Sequence, residues 1–387
     1  MKENRIGLIS VTNHNYGSIL QTFALQSFVN KLGYKTEIIK YFEPKTNKIL
    51  RFKNIDYATS RLKMVHKKLS MFLLSKKERE NLKLRAKSFD SFITSKLFFS
   101  RPCHNLQQLN DLSYNYSLCL LGSDQVWHPM NLLMDFFTLN FVDENICKVA
   151  YAPSFGVSEI PVSYKDKYRQ YINRFQFLSC REKSGVSIVK NLTKRDANLV
   201  CDPTLLLTKE EWENHISDKL TFDEPYIFCY FIGNNPNQRK LIKQFRRTKG
   251  CKIVALLHID EYIKSDNNFA DYTPYNVGPT EFLSLIKNAR YVMTDSFHAT
   301  VFSLIFQKEF FVFNRFENGK GKSTTSRIDS LVEMAGVKSR KIKENAQLND
   351  LLILDNEEIN YLSVEKNIYN FRTQSIDYLT KSLENAK

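Results

Sequence analysis

A histidine stands where an apolar strand pattern gives way to an apolar helix pattern. The stretch YVMTDSFHATVFSLIF covers residues 291–306, and His298 falls in the first turn of the predicted helix. Imidazole exchanges protons readily near neutral pH, so a histidine just beyond a strand is a candidate general acid or base. The alternative is a polar residue that only caps a turn.

A carboxylate and an indole follow another apolar strand pattern. In YSLCLLGSDQVWHP, residues 116–129, Asp124 comes directly after a Gly-Ser pair. Its carboxylate could accept a proton from a hydroxyl group, and Trp127 could offer a flat apolar face to a sugar ring. The alternative is an Asx-type turn with Trp127 filling the core.

An arginine ends a third strand pattern. Arg181 follows FQFLSC, and a buried arginine requires a partner, for which a carboxylate or a phosphate group of a ligand is suited. An internal salt bridge to Asp202 is the competing interpretation.

Two further stretches could bind anions at a helix start. In GKGKSTTSRIDSL, residues 319–331, the cations Lys320, Lys322 and Arg327 flank small hydroxyl residues before a predicted helix, which favours a phosphate cradle over a mobile basic loop. In TNHNYGSILQ, residues 12–21, a glycine and a serine capable of capping precede a helix pattern. Neither stretch is a GxGxxG or P-loop fingerprint, and for the second a plain strand–helix turn is the favoured interpretation.

Ten short apolar runs alternate with helical patterns and predict an α/β fold with parallel sheets. Polar residues after such strands are expected to reach ligands, because ligands bind beyond the carboxyl ends of the strands. The runs are RIGLISV, KTEIIKYF, YSLCLLG, CKVAYAPSFG, FQFLSCR, ANLVCD, PYIFCYFIG, CKIVALLHI, ARYVMTD and EFFVFNR.

The strand-poor stretch 201–225 contains two prolines and predicts a domain junction. We therefore expect two Rossmann-like domains that face each other across a cleft. The first covers residues 1–205, with a basic helical insertion at about 45–95, and the second covers 206–345. Residues 346–387 are predicted to form C-terminal helices.

The basic insertion carries most of the charge asymmetry. The chain has a net charge of +15, and residues 45–90 hold 14 Lys or Arg against four acids. Apolar residues recur at helical spacing in the same segment, at Leu62, Val65, Leu69, Phe72 and Leu73. This pattern predicts binding to an anionic membrane surface, with a solvated helix face as the alternative. No nucleic-acid-binding motif is present, so nucleic acid is not an expected partner.

Composition indicates a cytoplasmic protein that can lie at the inner membrane face. No apolar run approaches the roughly 18 residues of a membrane span, and the N-terminus does not resemble a signal peptide. The seven cysteines are scattered and never spaced as CxxC, which argues against a zinc site or a disulfide framework. No metal or cofactor is predicted.

Seven segments, in this order and spacing, resemble the polysaccharide pyruvyl transferase family. The resemblance runs over roughly residues 6–336 and implies a glycosyltransferase-B-like architecture. It further implies transfer of the enolpyruvyl group of phosphoenolpyruvate onto sugar hydroxyls, which forms a cyclic pyruvate ketal and releases phosphate. The acceptor would be a lipid-linked precursor of a capsule or exopolysaccharide. The segments are NYGSILQTFAL, GSDQVWHP, YAPSFG, SCREKSG, VCDPTLLL, TDSFHATVFSLIF and STTSRIDSL.

The resemblance assigns roles to the candidate residues. His298 would be the acid that protonates the donor, and Asp124 is the second catalytic candidate. Many relatives carry an arginine where this chain has Ser296, so either Lys322 or Arg327 supplies the missing charge or the donor differs. The donor-binding set is Arg181, Ser296, Lys322, Ser326 and Arg327, and the acceptor-binding set is Asn15, Tyr16, Gly17 and Trp127.

Two other functions remain open from the sequence. One is a glycosyltransferase-B-type enzyme that uses a nucleotide sugar, although FHATVFSLIFQ contains no carboxylate to bind a ribose before Glu309. The other is a non-catalytic basic protein that binds nucleic acid or membrane through the 45–90 segment.

Overall fold

The computed structural model describes residues 4–44, 58, 62, 65, 69–131, 135–217, 220–258, 262–315 and 322–386, with the backbone alone at 322–325. The chain forms two compact units. The N-unit contains Met1–Lys63, Ile93–Leu207 and Tyr369–Lys387, and the C-unit contains Met64–Phe92 and Thr208–Ile368.

The N-unit is built on a four-stranded parallel sheet with the order β2-β1-β3-β4 and a two-stranded parallel pair, β5-β6. Its strands are β1 Arg5–Ile9, β2 Lys35–Ile38, β3 Leu118–Leu121, β4 Cys147–Ala150, β5 Ser179–Cys180 and β6 Asn198–Leu199. The helices up to β6 are α1 Tyr16–Lys31, α2 Lys76–Lys96, α3 Leu106–Ser113, α4 Lys165–Asn173 and α5 Lys183–Thr193. Every residue of the central strand β3 is buried, as expected of a parallel strand covered on both faces.

The C-unit contains a second four-stranded parallel sheet, with the order β10-β9-β7-β8. Its strands are β7 Tyr226–Tyr230, β8 Lys252–Leu256, β9 Tyr291–Thr294 and β10 Glu309–Val312. The remaining helices are α6 Lys209–Glu213, α7 Pro236–Lys249, α8 Pro279–Asn288, α9 Phe297–Ile305, α10 Lys322–Ala335, α11 Leu348–Asp355 and α12 Tyr361–Glu384.

The α/β class with parallel sheets is confirmed, and each of the ten predicted runs contains a strand. The predicted junction after residue 205 lies two residues before the contact-based division after Leu207. Part of the predicted insertion, residues 64–92, groups with the C-unit, and residues 369–387 group with the N-unit. Residues 45–57 of the insertion lie outside the described part of the chain.

Three residues of α2 are buried, Arg85, Phe89 and Phe92, and Arg85 bonds to segments of the C-unit. The Arg85 guanidinium is 2 % exposed and donates to the carbonyl oxygens of Leu257, Pro274 and Tyr275. These three acceptors lie about 170 to 190 residues further along the chain, so local sequence patterns do not reveal the contact.

Candidate active site

Three carboxylates surround one buried arginine beyond the strands of the N-unit. Arg181, directly after β5, is paired through Nη1 with Asp202 at 2.7 Å and through Nη2 with Asp124 at 3.4 Å. Its Nε lies 3.8 Å from Glu182. Burial lowers the pKa of Arg181, but the three carboxylates outweigh burial and raise it. Three carboxyl groups of the protein therefore face a single guanidinium in this cluster.

Asp124 is the most accessible of these carboxylates. Its side chain is 16 % exposed, against 1 % for Glu182 and 0 % for Asp202. One carboxylate oxygen accepts from the Ser18 hydroxyl at 2.5 Å, and the other accepts from the Gln125 amide at 2.8 Å. Asp124 is thus held in place while a ligand hydroxyl can still reach it.

The backbone of Asp124 is strained. Its dihedral angles are φ 75° and ψ −173°, a region that residues other than glycine rarely adopt and that costs about 1–3 kcal/mol. The Ser154 amide donates to the Asp124 carbonyl at 2.8 Å and holds the turn. Such strain concentrates at functional sites, which adds to the case for Asp124.

Trp127 fills the core and Arg181 forms an internal salt bridge, which are the alternative interpretations that the sequence left open for these two residues. Trp127 is 1 % exposed and packs against the rings of Phe155, Tyr171 and Phe175, so it offers no face to a sugar. The guanidinium of Arg181 is paired with carboxylates of the protein, and the side chain is 0 % exposed. Arg181 therefore does not present its charge to a donor.

The start of α1 differs in detail from the prediction. Asn15, not Ser18, caps the helix by accepting from the Ser18 amide at 3.2 Å. This leaves the Ser18 hydroxyl to donate to Asp124. Tyr16 and Gly17 are buried in the first turn of α1, whereas Asn15 is half-buried. Of the predicted acceptor residues, Asn15 remains the one with substantial exposure.

In the C-unit, Asp295 fixes the turn after β7. Its two carboxylate oxygens accept from the Ile232 and Gly233 amides at 2.7 and 2.8 Å. The next residue, Ser296, caps α9 by accepting from the Ala299 amide at 3.4 Å. The ends of β7 and β9 are therefore tied together, and the first turn of α9 has a fixed position.

His298 lies in this first turn and is 7 % exposed. Its ring stands perpendicular to that of Phe297, with centroids 5.1 Å apart. The Arg327 guanidinium, 6 % exposed, lies 6.0 Å from the centroid of the same Phe297 ring. His298 and Arg327 thus both lie against the Phe297 ring, which directly follows the cap residue Ser296.

The remaining members of the predicted phosphate cradle are described in part. Ser326 is half-buried in α10, next to Arg327. The side chain of Lys322 and the whole of Lys320 lie outside the described residues. Arg327 is therefore the cation of that stretch whose placement is established.

Sequence reasoning missed Arg315, a cation three residues beyond β10. It is half-buried and packs at the turn after β7, where a Cβ on Gly233 would lie 2.6 Å from the Arg315 Cγ. The signal was present, because Arg315 is the last residue of the run EFFVFNR. A charged residue at the end of an apolar run can equally be a polar residue that follows the strand, as the end of β10 at Val312 shows.

Among the described residues, no group of three or more His, Cys, Asp or Glu side chains could hold a metal ion. No helix in the same part of the chain is long and apolar enough to cross a membrane.

Solved structures similar to this chain include complexes with UDP and with UDP-L-rhamnose and a UDP-GlcNAc 2-epimerase. Arabidopsis thaliana UGT89C1 complexed with UDP-L-rhamnose is 9 % identical, covers 100 % of both chains and has a TM-score of 0.52. The S. aureus MnaA–UDP co-structure is 12 % identical, covers 99 % of this chain and 98 % of that chain, and has a TM-score of 0.51. UDP-GlcNAc 2-epimerase from Methanocaldococcus jannaschii is 13 % identical over 92 % and 93 % of the chains, with a TM-score of 0.51.

Two parallel α/β sheets and this likeness define the class: the chain has the glycosyltransferase-B fold. At these identities the likeness shows the fold alone. No curated protein matches the sequence. Residues 15–317 match the polysaccharide pyruvyl transferase family, and the chain belongs to that family.

Proposed function

We propose that the chain transfers the enolpyruvyl group of phosphoenolpyruvate onto sugar hydroxyls of a cell-surface polysaccharide precursor. The product is a pyruvate ketal, and phosphate is released. The observation that carries this proposal is the placement, in the C-unit, of a histidine in the first turn of α9 and of the cation Arg327 against the same Phe297 ring. The C-unit site combines His298 with the cation Arg327, whereas three carboxylates outnumber the one arginine in the N-unit site. We therefore assign the anionic donor to the C-unit and the neutral sugar to the N-unit.

The C-unit residues suit an anionic donor that must be protonated. Arg327 supplies positive charge, and the first turn of α9 adds the positive end of the helix dipole. His298, in that turn, gives its proton to the methylene carbon of the donor. The new C–H bond leaves an oxocarbenium-like centre at the neighbouring carbon, which a hydroxyl oxygen can attack.

The N-unit residues suit a hydroxyl that must lose its proton. As the sugar oxygen bonds to the cationic carbon, Asp124 accepts the hydroxyl proton, and the Ser18 hydroxyl keeps the carboxylate oriented. A second hydroxyl of the same sugar then forms the second C–O bond and gives its proton to the departing phosphate as the bond to phosphate breaks. Asp124 then releases its proton to solvent, and His298 takes one up. One phosphoenolpyruvate and one diol thus give one ketal and one phosphate.

Transfer from a nucleotide sugar is the second candidate, because the solved structures include complexes with UDP and UDP-L-rhamnose. Helix α9, FHATVFSLI, contains no carboxylate that could bind a ribose. Thermal unfolding of the full chain with each ligand decides between the two. We expect phosphoenolpyruvate to raise the melting temperature, because a ligand that binds only the folded state stabilises it. A rise with UDP-sugars and none with phosphoenolpyruvate would establish the second candidate.

We also propose that the basic segment binds an anionic membrane surface, where lipid-linked acceptors would be found. Five apolar side chains of the segment are mostly exposed: Leu62 68 %, Val65 52 %, Leu69 59 %, Phe72 75 % and Leu73 68 %. Each Lys or Arg near an anionic surface contributes about 1 kcal/mol, and residues 45–90 hold ten more basic than acidic residues, 14 against four. The two features together favour lipid over an ordinary solvated face.

Sedimentation with vesicles tests this membrane proposal. The protein is expected to pellet with vesicles containing anionic lipid and to remain in solution with neutral vesicles. Phe72→Asp should weaken pelleting, because it removes apolar contact and adds a negative charge. Val162→Asp is the matched control, since Val162 is 81 % exposed outside the segment. Equal pelleting with both kinds of vesicle, or equal loss in both variants, would refute the proposal.

A further inference from the structure

Arg315 is a cation at the carboxyl edge of the C-unit sheet. Strand β10 pairs in parallel with β9, with Val312 opposite Thr294, and the Phe313 amide continues this pairing by donating to the Thr294 carbonyl at 2.8 Å. Arg315 follows this pairing on one strand, and Ser296 follows it on the other. The chain therefore carries Arg315 to the same edge of the sheet as the cap of α9.

The stem of Arg315 is built into this edge. A Cβ atom on Gly233 would lie 2.3 Å from the Arg315 carbonyl oxygen, 2.6 Å from its Cγ and 2.9 Å from Asp295 Oδ2. Arg315, Gly233 and Asp295 therefore meet at one point, which only a glycine leaves open. Because Asp295 accepts from both backbone amides of this turn, the position of Arg315 is tied to the same residues that fix the start of α9.

The guanidinium of Arg315 lacks a protein partner within the described part of the chain. Its Nε is buried without a hydrogen bond there, and none of the ion pairs among the described residues includes Arg315. Arg239, a second arginine at this edge, has protein partners for its guanidinium. It donates to Asp266 at 2.7 Å and to the carbonyls of Asn235 and Gly233 at 3.0 and 3.2 Å.

The contrast separates a structural arginine from one that is available to a ligand. Arg239 is satisfied by the protein, and the pKa of its partner Asp266 is lowered because the hydrogen bond from His258 and the charge of Arg239 outweigh burial, which raises it. Arg315 is held by its stem, and its buried Nε, which has no acceptor among the described residues, is costly unless a ligand supplies one. A planar fork of N–H groups matches the oxygens of a phosphate or a carboxylate.

We infer that Arg315 binds a phosphate or carboxylate group of the donor. This inference rests on the proposed function for the identity of the donor. The binding of a phosphate or carboxylate group by Arg315 is argued independently of the proposed function. Arg315 and Arg327 would then hold the donor while His298 protonates it.

Calorimetric titration of the full chain with phosphoenolpyruvate tests the inference. Arg315→Gln is expected to raise the dissociation constant about 10- to 150-fold, as for the loss of a charged hydrogen bond. Arg315→Lys, which keeps the charge but loses the fork, should fall between Gln and wild type. Arg247→Gln, on the exposed face of α7, is the matched control and should bind as wild type does. Unchanged affinity in a folded Arg315→Gln protein would overturn the inference.

Smaller ligands separate this inference from the proposed function. If wild-type protein does not bind phosphoenolpyruvate, the proposed function fails, and titration with inorganic phosphate or pyruvate decides on Arg315 alone. Binding of either anion that Arg315→Gln weakens and Arg247→Gln keeps would uphold the oxyanion site and show which group it prefers. Binding of neither anion, or binding equal in all variants, would overturn it.

Discussion

Replacing His298 by glutamine is expected to lower turnover about 10²- to 10⁴-fold while leaving donor affinity nearly unchanged. Glutamine keeps a hydrogen-bond donor at the first turn of α9, but its amide has no proton to transfer at neutral pH. His298 is 7 % exposed and faces only modest volume change on this substitution, so the fold should survive. The turnover number and the donor KM are measured by phosphate release.

A matched histidine provides the control for this variant. His104 is exposed and lies in the N-unit, and His104→Gln should keep full activity. His298→Ala should be as inactive as His298→Gln if protonation is the role of His298. Retention of more than about a tenth of the wild-type rate by His298→Gln would mean that the histidine positions the donor and does not protonate it.

Replacing Asp124 by asparagine is expected to lower turnover by a similar factor of about 10² to 10⁴. Asparagine has the same shape, tolerates positive φ and can still accept from the Gln125 amide, but it is not a base. The donor affinity should not change, because Asp124 belongs to the N-unit cluster that we assign to the sugar. Turnover as a function of acceptor concentration, together with donor titration, measures both effects.

Asp196→Asn controls for the loss of a surface carboxylate, since the Asp196 side chain is 89 % exposed. It should leave turnover unchanged. If Asp124→Asn keeps wild-type turnover, the sugar hydroxyl is deprotonated elsewhere and Asp124 is not the base.

The strain at Asp124 gives a second readout, of stability. Glycine adopts φ 75° without the penalty of about 1–3 kcal/mol, and this relief should offset the hydrogen bonds that Asp124→Gly removes. The variant is expected to melt near the wild-type temperature and yet to be inactive. A large drop in melting temperature would indicate that the carboxylate is retained for folding and not for catalysis.

The sequence predicted the elements because their signals are local. Buried parallel strands read as apolar runs, and the cap of α9 follows from a serine before an apolar helix pattern, which placed His298 correctly in its first turn. Residues 64–92, predicted as part of an insertion in the first domain, group with the C-unit. Local patterns do not indicate this, because the contacts of Arg85 join segments far apart in the chain.

Whether a polar residue beyond a strand is enclosed by the protein or accessible to a ligand could not be predicted from local sequence. Trp127 and Arg181, like Asp124 and His298, follow a strand pattern in the sequence. In the structure, however, aromatic rings enclose Trp127 and three carboxylates surround Arg181. Such enclosure depends on which distant residues arrive at the same point. The positive φ of Asp124 has the same origin, since it is held by a pairing with Ser154 and not by its own residue type.

Protonation of the donor at its methylene carbon predicts where solvent hydrogen is found after the reaction. The most direct measurement is a turnover in D₂O with phosphoenolpyruvate and a saccharide acceptor, followed by mass spectrometry of the saccharide and assay of phosphate. We predict a saccharide that carries a pyruvate ketal with one deuterium in its methyl group, formed together with an equal amount of phosphate. A ketal methyl group without deuterium, or a saccharide extended only when a UDP-sugar is supplied, would contradict pyruvyl transfer by this route.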